Sequence, residues 1–404
     1  MEKIKEIEEE MSRTQRNKAT EKSFAALKSR LAMLRTQLLD ANAGSGAAGD
    51  GFAVKKTGDA RIALIGFPSV GKSTLLSTLT DTKSAIAAYE FTTLTCIPGV
   101  LKLNGAVVQL LDLPGIIEGA ANGVGRGREV CAVAKSCDLV MVVLDATQEG
   151  QKKHKEILEG ELRMVGLRLN EQPPQIAFRK KMTGGVVITS TVPLTKLGDD
   201  PKDTVFRVLK EYRINNAEVL FREDCDVDQL IDVIEGNRHY VKCIYVYNKI
   251  DQVSIELVDE LSRRPHTVCI ACHSKLNLDG LLNAAWRYLG LVRVYTRKRG
   301  EKPDLDDPVV LTQARGGLTI KHACAQIHNE LAKSFKFAMV WGLSVRFSPQ
   351  RCGLDHLLQD EDVLQIVTKT AKEERVDKDY GARAQAHWEK LKSKKKGVRS
   401  GKLG

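Results

Sequence analysis

The stretch "GFPSVGKST", residues 66–74, constrains the fold of this chain more than any other. It fits G-x-x-x-x-G-K-[ST] and follows the apolar run "RIALIG". That pattern needs a buried strand before it and a helix after it. Gly66 and Gly71 let the backbone wrap closely around phosphate oxygens. The amides of Ser69, Val70, Gly71, Lys72, Ser73 and Thr74 would point inward at a helix N-terminus, whose dipole favours anions. Lys72 would reach the β- and γ-phosphates, and Ser73 would ligate Mg²⁺.

The rest of the sheet follows from similar runs. "VVQLLD" (107–112), "DLVMVVLD" (138–145), "KCIYVYN" (242–248) and "TVCI" (267–270) read as buried strands with helical stretches between most of them. Continuous apolar strands alternating with helices predict a parallel α/β sheet covered on both faces. The gap from Asp145 to Lys242 is far longer than one crossover needs. It holds β-like "GGVVITSTVPL" and helical "TVFRVLKEY" and "VDQLIDVIEG", so a small α+β domain is expected as an insertion at 172–238.

Other segments flank this sheet. At 404 residues the chain is too long for one core. Phe24, Leu27, Leu31, Leu34 and Leu38 recur at helical spacing behind Thr20 as a cap, and an earlier helix carries Ile4 and Ile7. The stripe would dock on the main domain or pair with a partner. "ANAGSGAAGDG" (41–51) reads as a linker. Beyond 293 the alternation stops. "RVYTRKRGEKPDLDDPVVL" predicts two strands, "TIKHACAQIHNELAKSF" one helix capped by Thr319, and "FAMVWG", "SVRFS" and "VLQIV" short strands, together a small α+β roll. The segment 371–404 is charged and has no acidic residue after Glu389.

The formal charge of +11 fits an acidic partner such as nucleic acid, or a basic tail on an ordinary surface. Nine cysteines, an odd number scattered along the chain, argue for reduced thiols in the cytosol or nucleus. The lone Cys269-x-x-Cys272 reads as strand-end packing. The N-terminus is too charged for a signal peptide, and no apolar run reaches the about 18 residues of a membrane span.

"NKID", residues 248–251, identifies the base. It ends an apolar strand, where open α/β sheets bind ligands. The Asp251 carboxylate can accept from guanine N1–H and the exocyclic amine, a donor pair that adenine lacks. Asn248 would brace the phosphate loop, and the Lys249 stem would lie over the base. Asp112, at another strand end, would hold Mg²⁺ through a water. In "DLPGIIEGA" (112–120) the Gly115 amide would contact the γ-phosphate. In "EFTTLT" (90–95) Thr93, with Thr92 as alternative, would supply the second protein ligand of Mg²⁺. Ile116 stands where many such enzymes keep a glutamine to orient water. The glycine-rich "GAANGVGRGRE" (119–129) reads as a switch that orders with GTP.

With GFPSVGKS, FTTL, DLPGIIEGA and NKID assembled, the chain resembles the Obg superfamily of P-loop GTPases. More closely it is similar to the type-2 branch of the developmentally regulated GTP-binding proteins, through AAYEFTTLTCIPGV, EVLFREDC, YVYNKID, KLNLD and FKFAMVWG, from about residue 2 to 369. The resemblance implies an N-terminal helical hairpin and linker (1–50), a GTPase domain (51–171 and 239–292) interrupted by the insertion at 172–238, a ubiquitin-like β-grasp TGS domain (293–369) and a basic tail (370–404). It also implies association with translating ribosomes and an RWD-domain partner protein. Nothing points to a membrane or to DNA sequence readout. A cytoplasmic location is expected, with a nuclear fraction as another use of the basic run.

Two departures from the family pattern stand out. The fifth guanine motif, often Ser-Ala-x, falls on Ala271-Cys272-His273, whose Cys272 amide can still meet the guanine oxygen. Relatives that use K⁺ often carry asparagine where this chain has Ser69. The resemblance and Ile116 together predict slow GTP hydrolysis from the phosphate-loop amides, Lys72, Mg²⁺ and the Thr93 and Gly115 backbones, raised by a partner, the ribosome or K⁺. The competing expectation is a GTP-bound scaffold that scarcely hydrolyses and binds RNA or a protein through its TGS domain and tail. A small-molecule kinase is disfavoured by NKID.

Overall fold

The computed structural model describes residues 2–15, 17, 20–41, 58–80, 97–113, 133–147, 151–313 and 316–369. They form two compact units. One comprises the described residues within 1–101 and 107–289, the other those within 102–106 and 290–369. Among the described residues no helix is long and apolar enough to cross a membrane.

The main sheet of the first unit runs β10 (Thr267–Cys269), β9 (His239–Asn248), β4 (Leu139–Asp145), β1 (Ala60–Ile65), β3 (Ala106–Asp112), β2 (Ile97–Leu103), with β5 (Leu167–Leu169) also on β9. β1 is parallel to β3 and β4, and β4, β9 and β10 continue in parallel. Every residue of β1 and of β4 is buried, so these strands carry no polar face. The register sets Leu64 beside Asp112 and Asp145 beside Asn248. Three strand ends that carry polar residues therefore converge on the carboxyl edge of the sheet. The edge strand β2 and the short β5 are additions to the strands expected from the sequence. β5 is only three residues long and leaves little periodicity to read.

A second sheet in this unit runs β6 (Ile176–Lys180), β8 (Ala217–Phe221), β7 (Val186–Ser190). β8 is antiparallel to β6 and parallel to β7. The parallel return passes through the helix Pro201–Glu211, which Asp200 caps by accepting from the Asp203 amide. The helix Val227–Glu235 follows, with a capping box from Asp226 and Gln229 and a left-handed Gly236 at its end. Val205, Val208, Leu209, Leu230 and Ile231 bury one face of the sheet with Val219 and Phe221.

The N-terminal helices α1 (Glu2–Arg13) and α2 (Glu21–Ala41) pack on each other, with Arg35 paired to Glu8 at 2.7 Å. The face of α2 that is most deeply buried is not the expected leucine stripe. It is Ala25 and Ser29, at 2% and 0% exposure, and Ala25 joins the core of the small sheet. Small residues let two helix axes approach closely, and Leu27, Leu31 and Leu34 flank that contact half-buried. Thr20 precedes α2, but its hydroxyl donates back to Gln15 and Asn17 carbonyls instead of capping the helix.

The second unit is a five-stranded sheet in the order β12 (Asp304–Leu311), β11 (Val292–Thr296), β15 (Asp362–Thr368), β13 (Phe335–Trp341), β14 (Gln350–Cys352). β11 and β15 are parallel and the other pairings antiparallel. The helix Ile320–Ile327 covers one face with Ile320, Ala323 and Cys324. Two expectations fail here. The helix from Thr319 breaks at His328, whose φ is −164°; its ring accepts from the Glu330 amide and so caps a separate turn, Asn329–Lys333. "SVRFS" is not a strand. The Arg346 and Phe347 amides turn to the Gln350 side chain, Phe347 stays 73% exposed, and the strand forms at 350–352 instead.

Candidate guanine nucleotide site

Lys72 opens the helix α3 (Lys72–Leu79), and Gly71 is its N-cap at φ +97°. A side chain at Gly71 would run into Asn248 Nδ2, and one at Gly66 into the Val143 carbonyl. Both positions thus need glycine for space, and Gly71 needs it for conformation as well. Ser69 takes φ +64°, a region that a non-glycine residue adopts at a cost. Val70 is buried, while Ser69, Ser73 and Thr74 are exposed along the loop and the helix start.

The Lys72 ammonium donates to the Gly66 and Phe67 carbonyls, both at 2.8 Å. Burial pushes its pKa below the usual lysine range, and the nearby Asp112 carboxylate only partly opposes this. The cation is therefore held inside the loop, at the place where phosphate oxygens would replace carbonyls as its partners.

Ser73 Oγ donates to Asp112 Oδ2 at 2.7 Å. The other carboxylate oxygen, Oδ1, is buried and has no hydrogen-bond partner among the described residues. A hydroxyl and an underused carboxylate at the mouth of a phosphate loop are hard oxygen donors suited to Mg²⁺. The residues present fit that ion. Thr93, Gly115 and Ile116 lie outside the described residues, as do the glycine-rich run, the tail and the linker from 42 to 51, Ala41 being the last residue of α2.

At the end of β9, Asn248 is 3% exposed and ties three segments together. Its Nδ2 donates to the Val70 carbonyl at 2.9 Å, and its Oδ1 accepts from the Lys249 amide at 2.9 Å and the Cys272 amide at 3.1 Å. The phosphate loop, the NKID turn and the Ala271–Cys272 segment thus share one side chain. Ala271 and Cys272 are buried, and burial lifts the Cys272 thiol to about 11. Asp251 is exposed in the short turn Ile250–Gln252 that follows the strand.

Lys249 takes φ +67°, and its ammonium lies 2.7 Å from Asp145 Oδ2. The Thr147 amide and hydroxyl donate to Asp145 Oδ1 at 2.9 and 2.7 Å. Burial would raise the Asp145 pKa, but the Lys249 and Thr147 bonds outweigh it and hold the carboxyl below the usual range. The sequence reading passed over Asp145. Its signal was its place as the last residue of an apolar strand, the same place that Asp112 occupies.

A phosphate loop after a central parallel strand, an acid at the next strand end and an NKID turn at a third define a P-loop GTPase. Known families match in the same order. Residues 61–180 match the family described as "50S ribosome-binding GTPase", 183–291 the "C-terminal region of MMR_HSR1 domain", and 292–368 the "TGS domain". The chain is 58% identical to Developmentally-regulated G-protein 2 of Arabidopsis thaliana over 93% of its own length and 92% of that protein's. It is 55% identical to Developmentally-regulated GTP-binding protein 2 of Homo sapiens, over 91% and 99%. With the Developmentally-regulated GTP-binding protein 1 homolog of Dictyostelium discoideum it shares 53%, over 91% and 99%. The chain belongs to the developmentally regulated GTP-binding protein family.

Proposed function

We propose that this GTP-binding protein is a slow, Mg²⁺-dependent GTPase that acts as a switch on the ribosome. The observation that carries the chemistry is the Ser73–Asp112 pair near Lys72, with a second carboxylate oxygen that has no partner among the described residues. Ser73 and Asp112 would hold Mg²⁺, with Thr93 as the further protein ligand. Mg²⁺, when bound, neutralises charge on the β- and γ-phosphate oxygens.

The chain's own groups do the rest. Lys72 exchanges its two carbonyl partners for phosphate oxygens. The amides from Ser69 to Thr74 line the phosphates, and the Gly115 amide meets the γ-phosphate. Asn248 keeps the base turn and the phosphate loop in register, Asp251 takes the guanine edge, and the Cys272 amide meets its oxygen. Positioning and charge neutralisation are most of what phosphoryl transfer requires.

The side chain after Gly115, Ile116, has no hydrogen bond to offer for aligning the attacking water. A charge stabiliser supplied by a partner adds roughly 10³- to 10⁵-fold in rate in phosphoryl-transfer enzymes of this kind. Slow intrinsic turnover is the consequence, relieved by the ribosome, by an RWD-domain partner or by K⁺ coordinated near Ser69. The "50S ribosome-binding GTPase" match supports the ribosomal reading. The basic run Lys392–Lys402 supports RNA contact by charge. A cytoplasmic site of action fits both.

The test is single-turnover GTP hydrolysis with and without ribosomes, paired with co-sedimentation. Full-length protein and a truncation after residue 370 are compared with GDP and a non-hydrolysable GTP analogue. Binding that follows the nucleotide and survives truncation supports a switch working through its folded parts. The same Ile116 also favours a scaffold that holds GTP without cleaving it. No hydrolysis in a single turnover under any condition, with binding that depends only on the tail, would establish that reading instead.

A further inference from the structure

We propose that Asp145 is a positioning residue for guanine, acting through Lys249. The inference rests on the reading of Asn248–Asp251 as the base site. A lysine stem stacked on a base is useful only if it stays there. The free side chain has four rotatable bonds, and ordering it costs roughly 2 kcal/mol of rotamer entropy. In this structure that cost is met before any base arrives.

Lys249 is pinned at both ends. Its backbone sits in the left-handed region, and its amide donates to Asn248 Oδ1 at 2.9 Å. Its ammonium meets Asp145 Oδ2 at 2.7 Å. The anchor itself cannot swing. The Asp145 side chain is 3% exposed, and its second oxygen is committed to the Thr147 amide and hydroxyl. The register of β4 with β9 fixes Asp145 beside Asn248, and the Ala146 amide donates to the Asn248 carbonyl at 2.9 Å. Lys249 remains 33% exposed, so the stem keeps a face free for a ligand while its head is held.

This divides the work of recognition. Asp251 reads the hydrogen-bonding edge of the base. Asp145 reads nothing; it preorganises the cation that covers the ring, which raises affinity by removing an ordering cost. Loss of Asp145 should therefore weaken guanine and hypoxanthine nucleotides alike, because both offer the same ring face. Loss of Asp251 should instead erase the preference between them, because only guanine carries the exocyclic amine.

The experiment is a double-mutant cycle on nucleotide affinity, read by displacement of a fluorescent GDP by GDP and by IDP. Asp145→Asn should weaken both about 10-fold and leave their ratio within twofold. On a Lys249→Gln background the same substitution should change affinity by less than about twofold, because the group it acts through is gone. Thr147→Val, which loosens the anchor without removing its charge, should give a smaller loss of the same kind. Unchanged affinity in Asp145→Asn, or an equal loss with and without Lys249, overturns the proposal. If Asp145→Asn does not fold, Thr147→Val alone decides, by the same coupling to Lys249→Gln. Failure of the unaltered protein to bind GDP would sink the base-site reading itself, a result separable from any of these.

Discussion

At Gly71 two demands meet in one residue. The phosphate loop needs φ +97° there, and Asn248 needs the space that a Cβ would fill. Gly71→Ala should break the bond from Asn248 to the Val70 carbonyl as well as strain the loop. Together these are worth about 2–4 kcal/mol, so GDP affinity should fall roughly 30-fold or more, measured by equilibrium titration. Glycine at 71 and lysine at 72 were legible from the motif. So was Asn248 as the brace of that loop; the atoms that make it, its Nδ2 and the Val70 carbonyl, were not, because 178 positions of chain separate the two residues and only the sheet brings them together. Asp145 is the harder case. As one more acid at a strand end it had no motif to mark it, and its role appears only when Lys249 is seen against it.

Among the elements, β11 and β15 show how a charge can fix a strand pairing. Arg293 Nη2 lies 2.7 Å from Asp360 Oδ2, and the Arg293 amide donates to Asp360 Oδ1 at 2.8 Å. The side-chain and backbone bonds from Arg293 outweigh burial and hold the Asp360 carboxyl below its ordinary range. A depressed carboxylate stabilises the fold above its unfolded pKa and loses that contribution as pH falls through its lower folded value. Asp360→Asn should therefore lower stability by about 1 kcal/mol at neutral pH, the pair being partly exposed, and by nothing once both forms are protonated. Thermal melts from neutral pH down to below the carboxylate range would show the two curves converge. The strands of this sheet were legible where apolar residues alternate. The failures at "SVRFS" and His328 share one cause: a side chain, Gln350 or the His328 ring, took backbone amides that the regular element would have used.

Across the first unit, the main sheet and the small sheet are joined by buried charge. Arg168 on β5 makes two 2.7 Å bonds to Asp232 on the helix Val227–Glu235, and Arg238 meets the same carboxylate at 3.2 Å. These side chains are 4–8% exposed. Arg238 also pairs with Glu235, which accepts from Thr36 on α2 and from Tyr212. Asp232→Ala would leave the buried Arg168 guanidinium without its carboxylate, and Arg238 with Glu235 alone, and should cost about 3–5 kcal/mol in urea unfolding. If the loss is below about 1 kcal/mol, the network is not what binds the sheets. Since both guanidiniums lie far along the chain from the phosphate loop, a folded Asp232 variant also tests how far this seam and the nucleotide edge are coupled.

The sequence by itself determined which residue types stand at the nucleotide edge. The phosphate loop and the NKID turn each demand particular residue types at short fixed spacing, and short spacing can be read without a fold. The apolar strands of the main sheet were determined as well, because a strand buried on both faces has few ways to be written. Tertiary structure alone decided the contacts between distant segments. It chose the small-residue face of α2 over its leucines, gave Lys249 its anchor in Asp145, and gathered Arg168, Asp232 and Arg238 into one seam. Such contacts depend on register and on which neighbour arrives, and a linear sequence carries neither.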